Sequence, residues 1–144
     1  MERTTRYVRL VALPDGIKAG PVAAALTADL IRVPPAMRRT LTWDRGREMA
    51  EHATVTASTG CPVYFCDPAS PWQRGSNENA NRLLRQYLGH HHDLRIHDQA
   101  ALDVIADRLN HRPRKVLDWA TPAEAYAAHH AASRSTTRTP ELTE

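Results

Sequence analysis

The sequence predicts an α/β fold, and three observations predict it. Apolar runs of strand length (Arg6 to Leu13, Leu41 to Asp44, Cys61 to Cys66) alternate with segments whose apolar residues recur every three to four positions. Breakers separate them: Pro14-Asp15-Gly16, Pro34-Pro35, Gly60, and the stretch from Asp67 to Gly75 that contains Pro68 and Pro71. The resulting order is strand, helix, strand, helix, strand, helix, helix, helix, with few strands and no hairpin signal.

Arg6 to Leu13 alternates and is rich in Val, Leu and Tyr, which predicts a strand closed by the Pro14-Asp15-Gly16 turn. Pro21 opens a helix, because proline suits the first helical positions, and Val22, Leu26, Leu30 and Val33 give it a buried stripe. Leu41-Thr42-Trp43-Asp44 is a short strand whose last residue is Asp44. A short helix follows from Glu48 to about Ser58, and Gly60 stops it. Cys61 to Cys66 is apolar throughout, the pattern of a strand buried on both faces. Asp67 to Gly75 is a loop. Ser76 caps a helix to about Leu88, with Leu83, Leu84, Tyr87 and Leu88 facing the core and Gly89 ending it. A further helix from Asp98 to Asn110 has Ala101, Leu102, Ile105 and Leu109 as its apolar face. Thr121-Pro122-Ala123-Glu124 starts the last helix: a cap, a proline at the first position and an acid in the first turn. Residues 1–131 are read as one domain and 132–144, rich in Ser, Thr and Arg, as a disordered tail.

Composition excludes several classes. The chain has 144 residues, 42% hydrophobic and 24% charged, which suits one soluble domain with a real core. No apolar run approaches the roughly 20 residues that span a bilayer. Arg9 interrupts what could have been a signal-type stretch, so a cytoplasmic protein without a membrane partner is the default. Net charge is +3, and 17 of the 19 basic residues are arginine, Lys18 and Lys115 being the exceptions. Guanidinium forks match phosphate oxygens in two-point contacts, although codon usage in a GC-rich genome accounts for the larger share of the excess. Cys61 and Cys66 lie an odd number of residues apart in one strand, so they face opposite ways and read as small buried apolar residues.

Two carboxylates stand out. Asp44 ends a strand, where acids of α/β folds point into the ligand crevice. Glu78, 34 positions later, lies in the first turn of a helix. Together they could hold a hard divalent ion through oxygen. Each also has an ordinary reading: Asp44 as a turn residue bonding to its own backbone, and Glu78 as an acid complementing the helix dipole. Arg82 and Arg85 lie four and seven residues after Glu78, on one helical face. That face suits a phosphate backbone, and equally an ordinary Glu–Arg pair in solvent. Arg112-Pro113-Arg114-Lys115 is a compact basic cluster that could bind phosphate or complement a helix C-terminus. His90, His91, His92 and His97 are adjacent loop histidines that converge poorly on one ion.

These segments resemble a known family. Thr42-Trp43-Asp44-Arg45-Gly46-Arg47-Glu48-Met49-Ala50, Ser70-Pro71-Trp72-Gln73-Arg74-Gly75-Ser76-Asn77-Glu78-Asn79, and Leu109-Asn110-His111-Arg112-Pro113-Arg114-Lys115 through Trp119 and Thr121-Pro122-Ala123-Glu124 are similar to the transposases of the insertion-sequence-thirty family. The opening Glu2-Arg3-Thr4-Thr5-Arg6-Tyr7 fits as well, so the resemblance runs from about Glu2 to Tyr126. It implies a ribonuclease-H-like fold of the retroviral-integrase type. It also implies an Asp-Asp-Glu triad that binds two magnesium (or manganese) ions, cuts transposon ends and joins them to target DNA. Asp44 matches the second acid and Glu78 the third, as catalytic and metal-binding residues. Arg74, Arg82, Arg85, Arg112, Arg114 and Lys115 are the expected DNA contacts. The first acid belongs on a strand that would precede Met1, as does the helix-turn-helix region that finds transposon ends. Gly89-His90-His91-His92 stands where such proteins carry a Pro-Lys-Gly type turn.

The expectation is therefore an N-terminally truncated catalytic core, inactive alone because one acid of the triad is missing. The alternatives are a non-catalytic fragment that binds DNA, self-associates or joins a full-length transposase, and a relic without activity.

Overall fold

The computed structural model of the chain describes residues 1–68, 70, 75–88 and 97–136. Among them are five helices, α1 (Ala19–Ile31), α2 (His52–Thr59), α3 (Gly75–Leu88), α4 (Gln99–Asn110) and α5 (Pro122–Thr136), and two strands, β1 (Leu41–Trp43) and β2 (Val63–Phe65). The fold is mixed α/β with a small sheet. No described helix is long and apolar enough to cross a membrane.

β1 and β2 are parallel, with Leu41 opposite Val63, Thr42 opposite Tyr64 and Trp43 opposite Phe65. Parallel neighbours need a crossover, and α2 supplies it. The Leu41 N–H donates to the Pro62 carbonyl at 2.9 Å and the Cys66 N–H to the Trp43 carbonyl at 2.9 Å, so the ladder runs slightly past the strand ends. α2 stops where expected, with Gly60 in the left-handed region at φ 69°. It begins later than predicted. A 3₁₀ turn at Arg47–Met49 precedes it and buries Met49. α1 packs on α2 and on this turn. α1 starts at Ala19, so Pro21 is its third residue, where the missing N–H would have had no helical acceptor. Arg38 Nη1 donates to the carbonyls of Leu30 and Ile31 at 3.0 and 3.3 Å and closes the C-terminal end of α1.

Two expectations are corrected. Arg6 to Leu13 is not a strand: Arg6 sits in the left-handed region at φ 61°, and no described strand pairs with the residues after it. One edge instead bonds to side chains of α4. The buried Asn110 amide donates to the Val8 carbonyl at 2.9 Å and accepts from the Val8 N–H at 2.8 Å. At the other end of the helix, Gln99 donates to the Leu10 carbonyl at 3.0 Å and accepts from the Ala12 N–H at 2.9 Å. Residues 8, 10 and 12 share one edge of an extended chain, so the alternation survives without a sheet. The second correction concerns the run from Cys61 to Cys66. Both thiols are buried and free, but Tyr64 is 57% exposed, because the two-stranded sheet is covered on one face only at that position.

The helices after β2 follow local signals. Asp98 caps α4, its carboxylate accepting from the Ala101 N–H at 2.8 Å, and Ile105, Ala106 and Leu109 are buried beneath it. Tyr7 stacks on Tyr126 with ring centroids 4.5 Å apart, and Arg9 pairs with Asp29 at 2.5 Å, which ties the N-terminal segment to α5 and α1. α5 reaches Thr136, beyond the expected domain end at 131, while residues 137–144 lie outside the described residues.

The start of α5 is a capping box. The Thr121 N–H and hydroxyl each donate to Glu124 Oε2 at 2.8 Å, and the Glu124 N–H donates to the Thr121 hydroxyl at 3.2 Å. The Thr121 backbone and side-chain donors hold the Glu124 carboxyl below the usual carboxylate range. A depressed pKa contributes stability that is full above the unfolded value and lost as pH falls through the folded one. Helicity at the start of α5 should therefore weaken in an acid titration from about pH 6 to about pH 3. Glu124→Gln should flatten that part of the curve followed by circular dichroism or amide exchange. An identical acid limb in the variant would rule the box out as its source.

Candidate active site

β1 delivers Asp44 at the carboxyl end of the parallel sheet. The same end of β2 continues into Cys66 and Asp67, and that connection leads to α3 at Gly75. Asp44 thus follows a strand end directly, and Glu78 lies in the first turn of the next helix after β2. Asp44 is half-buried and engaged with its surroundings. The turn that carries it is clipped by its neighbours. Trp43 Nε1 donates to Glu48 Oε1 at 3.0 Å, which reaches back across Gly46. A Cβ at Gly46 would lie inside the contact shell of the Glu48 carboxylate, so a side chain there would push that flexible carboxylate away from the indole. The indole N–H, with the Glu48 backbone N–H, keeps the Glu48 carboxyl below its usual range.

Glu78 is exposed on α3, and Arg82 and Arg85 are exposed four and seven residues on. The opposite side of the helix carries buried Ala80 and half-buried Leu83, Leu84, Tyr87 and Leu88, so the predicted apolar face is the one that packs. Arg82 Nη2 donates to Asn79 Oδ1 at 3.3 Å, and among the described residues Arg82 forms no ion pair with Glu78. The simple intrahelical pair is thus not what orders this face.

The basic cluster divides. Arg112 and Lys115 are exposed. Arg114 is half-buried and structural: Nη2 donates to the Leu109 carbonyl at 3.0 Å at the end of α4, and Nε is buried without a partner. Burial, and then the nearby Arg112 charge, lower its pKa from the usual arginine value. Arg114 also lines an open cavity of about 240 Å³ with Arg6, Asn79, Val8, Leu83 and Leu109. Arg6, Asn79 and Asn110 carried no role in the sequence reading. All three lie inside the family-like segments, which is the signal that could have raised them. Arg74 and His90 to His92 lie outside the described residues, as do the side chains of Gly75, Ser76 and Asn77.

Among the described residues no group of three or more His, Cys, Asp or Glu side chains comes together in a way that could hold a metal ion. Asp44 and Glu78 are related by chain order, Asp44 directly after β1 and Glu78 in the helix that follows β2, and α3 packs on α4.

The strand-end Asp44 and the Glu78, Arg82 and Arg85 face of α3 belong to a chain of the insertion-sequence transposase class, because curated relatives match most of its length. The chain is 52% identical over 127 residues to the transposase for insertion sequence element IS1086 of Cupriavidus metallidurans, covering 88% of this chain and 37% of that protein. It is 48% identical over 124 residues to the transposase InsI for insertion sequence element IS30A of Escherichia coli, covering 86% of this chain and 32% of that protein. It is 37% identical over 125 residues to the transposase for insertion sequence element IS4351 of Bacteroides fragilis, covering 87% and 38%. No family model matches. The chain is a segment of the insertion-sequence-thirty family of transposases, and it spans about a third of the length of the curated relatives it matches.

Proposed function

We propose that these residues form part of the metal-dependent DNA strand-transfer centre of a transposase, built on a ribonuclease-H-like core over residues 1–131 with 132–144 as an appendage. What supports this reading is Asp44 at the carboxyl end of β1 and Glu78 in the first turn of the helix after β2, in a chain 52% identical over 127 residues to a transposase. Asp44 and Glu78 are metal ligands. Carboxylate oxygens are the donors that Mg²⁺ or Mn²⁺ takes, so the chemistry of the pair fits, while its number leaves the other ligands to further residues, water or DNA phosphate. When bound, such ions activate the attacking hydroxyl and stabilise the leaving oxygen.

The remaining roles fall to the chain's own cations. Arg82 and Arg85 continue the exposed Glu78 face over two turns of α3 and lie along a phosphate backbone. Arg112 and Lys115 extend the contact from the end of α4, and Arg74, outside the described residues, is a further expected DNA contact. Arg114 supports it by bonding to α4. DNA, as transposon ends and as target, is the partner, and a second transposase copy is the other. Exposure of these cations independent of any metal also favours a second reading, a DNA-binding module that does no chemistry alone.

A polypeptide of these 144 residues tests both. It should bind duplex DNA with an affinity that falls steeply with salt, by about 0.9 in log–log slope per phosphate contact. Arg82→Gln with Arg85→Gln should flatten that slope by about 2. With two carboxylates of a triad, it should show no strand transfer in Mg²⁺ or Mn²⁺. Strand transfer by this polypeptide that survives Asp44→Asn would remove Asp44 from the mechanism. A slope unchanged by the double substitution would remove the α3 face from the interface.

A further inference from the structure

The loop after α4 presents a tryptophan to solvent by means of an unusual backbone. Trp119 is 68% exposed and Val116 65%, the former among the largest apolar surfaces the fold leaves open. Hydrophobic side chains can be exposed by accident, but this one is held. The Arg114 N–H donates to the Ala120 carbonyl at 3.1 Å and the Trp119 N–H donates to the Arg114 carbonyl at 3.0 Å, closing the loop. Inside it the Leu117 N–H also donates to the Arg114 carbonyl, at 2.9 Å, and the Ala120 N–H to the Leu117 carbonyl, at 2.9 Å. Two consecutive non-glycine residues, Asp118 at φ 50° and Trp119 at φ 68°, sit in the left-handed region. That region is uncommon for any side chain and most of all for a bulky one. A strained backbone that persists because its surroundings enforce it clusters at ligand-binding positions.

The surroundings indicate the ligand. The exposed Arg112 and Lys115 precede Trp119 by seven and four residues, against one carboxylate in the loop, Asp118. A cationic strip beside an exposed ring is the arrangement that binds unpaired nucleic acid, the cations tracking phosphates and the ring stacking on a base. A protein partner would be served by the apolar surface alone, with no call for the flanking cations.

We propose that Trp119 is a base-stacking residue that receives an unpaired or terminal base of the DNA strand, held in place by the 114–120 loop. The inference rests on the DNA-binding part of the reading above and not on the metal chemistry. Stacking of one base contributes about 1–3 kcal/mol by alanine substitution, or roughly 5- to 150-fold in affinity.

The test uses the 144-residue chain, without metal, and three labelled probes of equal length: single-stranded DNA, duplex DNA with blunt ends, and an abasic deoxyribose-phosphate strand. The expected result is quenching of tryptophan emission by the single strand and not by the abasic strand, with the quenched component absent from Trp119→Tyr. Trp119→Ala should weaken single-strand binding about tenfold, Trp119→Tyr should restore it, and neither should change abasic-strand binding. Trp119→Tyr guards against a mere folding defect in the alanine variant. Equal affinity of Trp119→Ala and the parent for single strands overturns the proposal while leaving phosphate contacts standing. Failure of all three probes to bind overturns it together with the DNA-binding reading. Emission that shifts with protein concentration and ignores DNA assigns the ring to an interface between copies instead.

Discussion

Asn110→Ala is expected to destabilise the fold by about 2–4 kcal/mol in denaturant unfolding. The reason is specific to its position. Asn110 and Val8 are both buried, and the carboxamide satisfies the N–H and the carbonyl of Val8 at once. Alanine leaves two buried backbone groups without partners, each costing about 1–3 kcal/mol, less whatever water recovers in the space vacated. Gln99→Ala is the control. Gln99 makes the matching pair of bonds to Leu10 and Ala12 but is exposed, so water replaces it and the loss should stay below about 1 kcal/mol. Equal effects of the two would mean that burial is not what gives Asn110 its weight. The consequence reaches the basic cluster, because Asn110 closes α4 immediately before His111 to Lys115.

The second large effect is on activity. A chimera is made by exchanging the segment of the Cupriavidus metallidurans transposase that matches this chain, 52% identical over 127 residues, for the corresponding residues of this chain. In an active chimera, Asp44→Asn or Glu78→Gln should each lower strand transfer by about a thousandfold or more, the scale on which members of a catalytic constellation act. For Glu78→Gln, stability should change little. Glu78 is exposed, and its ordinary role as a helix N-terminal acid is worth only about 0.3–1 kcal/mol. Thermal melts that match the parent would show that the loss is chemical. Activity within tenfold of the parent would return Glu78 to the dipole and Asp44 to the turn.

The sequence made legible what is decided locally. Asp98 at the start of α4, Thr121 and Glu124 at the start of α5, and Gly60 at the end of α2 each act within four residues, so their types announce the boundaries. The apolar side of α3 followed from periodicity, and the exposed stripe of Glu78, Arg82 and Arg85 came with it. Partners distant in sequence were hidden. The alternation of Arg6 to Leu13 predicted a strand, but the bonds of residues 8, 10 and 12 go to side chains about 90 to 100 residues away, and alternation cannot tell a helix edge from a strand. The apolar run at Cys61 to Cys66 could not report that Tyr64 lacks a cover, since burial depends on what packs against the sheet. Arg114 read as a phosphate ligand because its charge was visible and its bond to Leu109 was not. The left-handed backbone at Trp119 had no signal in its residue type. For the site, order along the chain was enough to place Asp44 at a strand end and Glu78 in a first helical turn. Convergence on a metal is a statement about distance, which order does not carry.

Metal ligation by Asp44 and Glu78 is tested most directly by exchanging their oxygen for sulfur in the active chimera and assaying strand transfer in Mg²⁺ against Mn²⁺. Sulfur is a poor donor to Mg²⁺ and a better one to the softer ion. If the two residues are ligands, Asp44→Cys and Glu78→Cys should be inactive in Mg²⁺ and recover measurably in Mn²⁺, with no such recovery for Asp44→Ala or Glu78→Ala. Parent-like activity of the cysteine variants in Mg²⁺, or a loss that is the same in both metals, would contradict it.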